Sequence, residues 1–235
     1  MVYMVKKILD STLTYYSGNM GVGGRVFFIS REPVEILMVL YTAGSSSSYP
    51  NTPPDKGIRF HFLGGAGEVG NVGCIIEDSA GTRVLIDYGL APTKPPRYPS
   101  ESPPVKHAIM THAHIDHIGM APWLATYETL LHGTDLTAAV SEIMWSDTYK
   151  VSDIEGYPLA WDKRDMEVAL DSWMPHQFGE WFSVGDWKCR LHPAGHIPGA
   201  AMIEIKTPQA TILWTGDLDT RDSPNAPRAV PIDCD

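Results

Sequence analysis

The chain has 235 residues, 43% of them hydrophobic and 20% charged, a formal net charge of −10 and three cysteines. That length buries one sizeable core or two small ones, and no window approaches the roughly 18 uninterrupted apolar residues that a membrane helix needs. The acidic balance argues against a protein-wide phosphate-binding surface. Cys74, Cys189 and Cys234 are too few and too far apart for a disulfide framework or a Cys-x-x-Cys zinc motif, so any metal must be held by histidine and carboxylate.

At the N-terminus Lys6 and Lys7 lead into the polar Asp10, Ser11 and Thr12 rather than into the apolar core of a secretory signal, which makes the cytoplasm the default location. A strand is expected over 25–29 and a short apolar helix or strand over 33–41. Residues 44–56 are rich in Ser, Pro and Gly, a composition that builds linkers rather than cores. A boundary near residue 57 therefore divides the chain into an N-terminal extension with its Ser/Pro-rich linker, 1–56, and an α/β domain, 57–235.

From Gly57 onward, short β-branched runs alternate with turn clusters and predict strands over 58–63, 74–78, 82–89 and 107–110. Asp78, Ser79, Ala80 and Gly81 form a tight-turn signal that joins two of them as a hairpin. Between the first two strands, residues 65–70 spell Gly-x-Gly-x-x-Gly, a dinucleotide fingerprint only if it opens a helix. The residues that follow, Asn71 to Ile76, are glycine-spaced and β-branched, so the expected structure is a turn entering a strand, with backbone passing close to a neighbouring site. Helices are predicted over 117–130, 134–151 and 162–173, the last opened by Asp162 with Asp165 three residues on, a capping-box pattern. Strands return over 187–192, 200–206 and 211–216. Sheet, then helices, then sheet is the order of a mixed α/β sandwich, not of a strict βαβ alternation.

The chemistry concentrates in Thr111-His112-Ala113-His114-Ile115-Asp116-His117, which follows an apolar strand. His112 and His114 are two apart, so both point to one side at a strand end and can share an ion. Asp116 and His117 follow after the chain turns, which suits a second ion a few ångströms away. Further ligands are expected from two other strand ends: His196, flanked by Gly195 and Gly199, and Asp217 after Gly216. Asp87, ending another strand, is assigned to orienting a histidine or the loop from behind the ligands, with a structural turn as the alternative. His61, His107, His132 and His176 have no partner at ligand spacing and are read as ordinary core or surface imidazoles; His192 leads toward His196 without a role of its own.

The segments GGAGEVGNVGCIIE, THAHIDHIG, AGHIPGA and TGDLDTRDSP together resemble the metallo-β-lactamase superfamily, and within it the β-CASP branch of RNA-processing nucleases, over residues 58–225. The resemblance implies an αββα sandwich in which His112, His114 and His196 bind one zinc, Asp116 and His117 bind a second, and Asp217 bridges them. It also implies a zinc-activated hydroxide attacking phosphorus in RNA, with Asp116 orienting that water or taking its proton. Members of the branch continue past the TGD segment with an acidic motif, an inserted domain and two further histidines, one of them a ligand of the second zinc. Residues 231–235 stand where the acidic motif would begin. The resemblance thus implies a fold cut short after TGD, a second zinc shell that is incomplete, and apolar surface covered by a partner chain or by self-association.

Three functions follow for comparison: a zinc-dependent nuclease acting on RNA, a small-molecule hydrolase of the same fold such as a lactonase or thioesterase, which the acidic charge favours, and a non-catalytic metal-binding fragment that needs a partner chain.

Overall fold

The computed structural model describes residues 49–235, together with the backbone of three strands before them, β1 (Thr14–Ser17), β2 (Phe27–Ser30) and β3 (Ile36–Leu40). Most of the N-terminal extension and the start of the Ser/Pro-rich linker lie outside the described residues. The segment expected over 33–41 as helix or strand contains β3, which pairs in parallel with β4 (Ile58–Gly64).

Two sheets face each other. The larger has seven strands in chain order: β3, β4, β5 (Gly73–Asp78), β6 (Arg83–Tyr88), β7 (His107–Ile109), β8 (Leu130–Gly133) and β9 (Trp173–Pro175). β4, β5 and β6 are antiparallel, and β6 through β9 run parallel to one another. The smaller sheet is an antiparallel meander of β10 (Trp181–Val184), β11 (Trp187–Pro193), β12 (Ala201–Lys206) and β13 (Thr211–Trp214). Between the sheets lies a core of Ile58, Phe60, Phe62, Ile76, Val84, Ile86 and Ile109 from one side and Val184, Trp187, Leu191, Ile203 and Ile205 from the other. Strands buried on both faces read as unbroken apolar runs, which is why β4 to β6 stand out in the sequence.

The opposite face of the large sheet carries α1 (Ile115–Ile118), α2 (Asp135–Glu155) and α3 (Lys163–Asp171), packed through Trp145 and Ala169, with Trp161 of the loop before α3, onto Ile75, Leu85, Tyr88 and Leu131. This gives the helix, sheet, sheet part of the expected sandwich. The outer face of the small sheet is met by residues 226–232, where Ala229 and Ile232 pack on Met202 and Leu213. Among the described residues no helix is long and apolar enough to cross a membrane.

The hairpin forms as expected: Asp78 Oδ1 accepts from the amides of Ala80 and Thr82, both at 3.0 Å. The capping box of α3 is present, with the Asp162 carboxylate accepting from Asp165 N and Asp165 accepting from Asp162 N. The glycine-rich residues 65–70 form a turn that enters β5 and open no helix. One expectation fails. The helix over 117–130 is instead the single turn of α1, a 3₁₀ segment Ala121–Tyr127 and the strand β8. Gly119 and Pro122 interrupt the α-helical ladder, and β-branched Thr126 and Thr129 favour the extended exit. The short strands β8, β9 and β10 were not anticipated.

The linker's last residues rest on the large sheet: Tyr49 Oη donates to Glu77 Oε2 at 2.7 Å, and Arg59 Nη1 donates to the Thr52 carbonyl at 2.9 Å.

Candidate metal centre

The strand ends of β6, β7, β11 and β13 deliver the candidate residues to one rim of the sandwich. After β7 the chain stays extended through Met110 to His114 and then turns into α1. A four-residue helix has no independent stability, and this one is held from three directions. The indole N–H groups of Trp145 and Trp161 donate to the carbonyls of Ile118 and Gly119, each at 2.8 Å. On the sheet side, Val72 N donates to Asp116 O at 2.9 Å and Leu90 N to Ile115 O at 3.1 Å. The backbone packs so closely that a β-carbon on Gly89 would lie 1.7 Å from the Asp116 carbonyl oxygen. Only glycine fits there.

Within this frame His112 Nε2 lies 3.0 Å from His114 Nδ1, and His196 Nε2 lies 3.0 Å from the same His114 nitrogen. Asp217 Oδ2 is 3.6 Å from His196 Nε2. One ligand atom from each of His112, His114, His196 and Asp217 falls within 4.8 Å of the others. Three ring nitrogens aimed at one point cannot all be satisfied by hydrogen bonds, since each neutral imidazole nitrogen either donates once or accepts once. A tetrahedral ion with bonds of about 2.0–2.1 Å to nitrogen separates its ligands by about 3.3 Å, so the two 3.0 Å pairs would open, and the 3.6 Å pair close, by a few tenths of an ångström. The donor chemistry, imidazole with one carboxylate, therefore fits a divalent metal.

Asp116 and His117 occupy the adjoining space. His117 Nε2 is 3.9 Å from Asp116 Oδ2 and 3.8 Å from Asp217 Oδ1. Asp217 thus presents one oxygen to His196 and the other to His117. The far nitrogen of His117, Nδ1, meets Asp87 Oδ2 at 2.8 Å. Asp87 is fully buried, with a left-handed backbone at φ 54°, and its other oxygen accepts from Thr111 N at 2.7 Å. The Thr111 hydroxyl bonds the same carboxylate at 2.8 Å and lies 3.0 Å from His112 Nδ1. Thr111 did not emerge from the sequence; its only signal is a hydroxyl residue immediately before the first histidine.

The electrostatics divide the histidines. Burial, followed by the neighbouring rings of His117, His114 and His196, pushes the His112 pKa far down, so the ring is neutral. Burial lowers His196 as well, against the pull of Asp217. For His117 burial is again the largest influence, but the charge and hydrogen bond of Asp87, with Asp116 and Asp217, outweigh it and the net shift is upward.

The remaining histidines stand apart from this cluster. His192 turns to Glu204, Nε2 to Oε2 at 2.8 Å, and His61 packs 4.7 Å from the Tyr49 ring. His107, His132 and His176, read as ordinary core or surface imidazoles, form a chain: His107 Nδ1 is 3.0 Å from His132 Nε2, and His132 Nδ1 is 2.9 Å from His176 Nε2.

Known proteins place this arrangement. RNase aCSPSF2 of Saccharolobus solfataricus is 30% identical over 168 residues, which are 69% of this chain and 33% of that protein. A ribonuclease of Thermus thermophilus is 30% identical over 61% of this chain and 34% of its own length, and the cleavage and polyadenylation specificity factor 73 of Drosophila melanogaster is 28% identical over 68% of this chain and 25% of its own. The chain spans about a third or less of the length of these relatives. The family model described as the metallo-beta-lactamase superfamily matches residues 67–228, more than half of the chain and all of the clustered ligand candidates. With the two facing sheets and the rim cluster, that match shows that the chain belongs to the metallo-β-lactamase superfamily.

Proposed function

We propose that this chain carries the metal-holding half-site of a zinc-dependent nuclease that hydrolyses phosphodiester bonds in RNA. The observation that carries the reading is the convergence of His112, His114, His196 and Asp217 on one point, with Asp116 and His117 beside it. RNA as the substrate is supported by the relatives, which are RNases or cleavage factors by name. When bound, zinc supplies Lewis acidity toward a phosphoryl oxygen and makes water a competent nucleophile near neutral pH.

The chain's own groups then divide the work. His112, His114 and His196 would hold one ion and Asp116 and His117 the other, with Asp217 presenting one oxygen beside His196 and the other beside His117. Asp87 fixes the His117 ring through Nδ1, leaving Nε2 as the ligating atom. Asp116, whose side chain is one-quarter exposed at the rim, orients the attacking water and accepts its proton on a carboxylate oxygen.

Metal analysis of the purified chain is expected to find one to two zinc ions, falling when His112 and His196 are replaced by alanine. Less than half a zinc per chain, with no gain on adding zinc, sinks the reading. Incubation with single-stranded RNA, a lactone and a thioester ranks the chemistries: RNA cleavage that falls by roughly 10²–10⁴-fold in D116N is the expected result, in the range of general acid–base contributions, and Asp116-dependent turnover of the lactone or thioester alone establishes the small-molecule hydrolase instead.

A further inference from the structure

His196 is delivered by a loop with little regular structure of its own, yet it must meet two rings from a different strand. What fixes this loop is visible at its far end. The Gly199 carbonyl oxygen, three residues beyond His196, accepts from the Thr134 hydroxyl at 2.9 Å and lies 3.1 Å from the Thr137 hydroxyl. The two hydroxyl oxygens are 2.9 Å apart, so the Thr137 proton is shared between the carbonyl and Thr134. Both threonines are buried. Gly199 has φ +83°, and a β-carbon there would come within 2.8 Å of Leu136 Cβ and 2.9 Å of Thr134 Oγ1. The loop is therefore pressed directly onto the first turn of α2.

Thr134 is also the N-cap of α2 and accepts from Thr137 N at 3.1 Å. It follows β8 directly, and β8 is tied to the ligand strand through Met110 N, which donates to the His132 carbonyl at 2.8 Å. The same end of the loop is bound to that strand by Ala201 N donating to Thr111 O at 2.8 Å. The start of α2 thus forms a short rigid path from the strand bearing His112 and His114 to the loop bearing His196.

We infer that Thr134 and Thr137 are positioning residues for His196: their hydroxyls, through the Gly199 carbonyl, set the place of the third imidazole relative to His112 and His114. The inference rests on the metal-binding reading above, and it assigns to a helix start outside the ligand cluster the control of one metal position and not the other. His117 and Asp116 sit on α1, held by Val72 N, Leu90 N, the indole of Trp161 and that of Trp145 two turns further along α2, and none of these bonds uses the Thr134 or Thr137 hydroxyl or the Gly199 carbonyl.

The test uses three variants of the full chain. T137V removes one hydroxyl and keeps the side chain's shape; T134D retains a helix-capping acceptor for Thr137 N but has no proton for Gly199; the double variant T134S/T137S keeps both hydroxyls. Cobalt(II) or zinc titrations, followed by the cobalt absorption bands and by competition with a chelator, give separate affinities for the two positions, and thermal melting of the metal-free proteins reports folding. The expected result is a loss of at least tenfold in one affinity in T137V and T134D, the other affinity unchanged, and wild-type values in T134S/T137S. Equal affinities in wild type and both hydroxyl-free variants overturn the clamp while leaving the metal site standing. Equal weakening at both positions, or weakening in the serine variant as well, shows a structural effect and also overturns it. Absence of metal binding by the wild-type chain overturns the metal-binding reading itself, and the clamp with it.

Discussion

Asp87 carries no ligand atom toward the cluster, yet three bonds depend on it. It receives Thr111 N and the Thr111 hydroxyl and holds His117 by Nδ1, all inside a fully buried pocket. D87N preserves volume and tolerates the left-handed backbone, since asparagine is enriched there, but it brings an NH2 group into a place built for acceptors only. It is expected to cost about 1–3 kcal/mol of stability and about 10–100-fold in metal affinity, measured by denaturant unfolding and zinc titration. An unchanged zinc affinity in D87N contradicts the orienting role. At this scale the sequence was informative where chemistry is local. His-x-His-x-Asp-His has its spacing on its face, and His196 and Asp217 announce themselves by ending strands beside glycines. Thr111 and the threonines of α2 did not, because a hydroxyl becomes significant only through what the fold places against it.

Between β7, β8 and β9 the histidine chain adds a second kind of fastening to three parallel strands. Each neutral ring offers one N–H and one acceptor nitrogen, so with all three rings uncharged both links are satisfied when the protons point one way along the chain. Phe182 of β10 stacks on His176 with centroids 3.6 Å apart and extends the column into the second sheet. Burial, then the rings of His107 and His176, pushes the His132 pKa down to about 3; burial, then Lys106, lowers His107, and burial lowers His176 against the opposing charge of Glu180. A base whose folded pKa is depressed leaves the unfolded chain with more bound protons below about pH 6.5, so stability rises with pH in that window. The contribution is therefore complete above about pH 6.5 and is lost as pH falls toward 3, at a slope of at most about 1.4 kcal/mol per unit for this one group. The urea midpoint of the wild type is expected to drop more between pH 6.5 and 4 than that of H132Q, and parallel curves contradict the assignment. Sequence separation conceals this chain: the partners lie 25 and 44 residues apart, and β8 and β9 are too short, at four and three residues, to show a period. By contrast α3 was readable from its capping box, and β4 to β6 from their unbroken apolar runs.

As a whole the molecule places its donor set on the rim where strands from both sheets end, so metal binding joins the two halves of the sandwich. His112, His114 and His117 belong to the large sheet's side, and His196 and Asp217 to the small sheet's loops. A ligand that binds only the folded state stabilises it by about 2.7 kcal/mol at a hundred times its dissociation constant. For a domain of this size, that corresponds to a rise in melting temperature of roughly 5–10 °C. Saturating zinc is expected to produce that shift and a chelator to abolish it; a melting temperature indifferent to both contradicts a folded-state metal site. The sandwich was anticipated from the order of sheet, helices and sheet. The outer face of the small sheet was not, because residues 226–232 lack any period and are placed by the packing of Ala229 and Ile232 and by the bond from Ala229 N to the Asp219 carbonyl.

The contact at Gly89 bears on how such a site can change. The turn that presents Asp116 and His117 is located by main-chain bonds to Val72 and Leu90 and by the missing side chain of Gly89, none of which depends on what the presented side chains are. Geometry and donor identity are thus separable. Replacing His114 with cysteine puts a soft thiolate, and replacing His117 with aspartate a hard carboxylate, in place of a neutral imidazole on the same backbone. The rim is then a mount on which metal preference can be altered one residue at a time, while a single methyl group at position 89 would displace the mount itself.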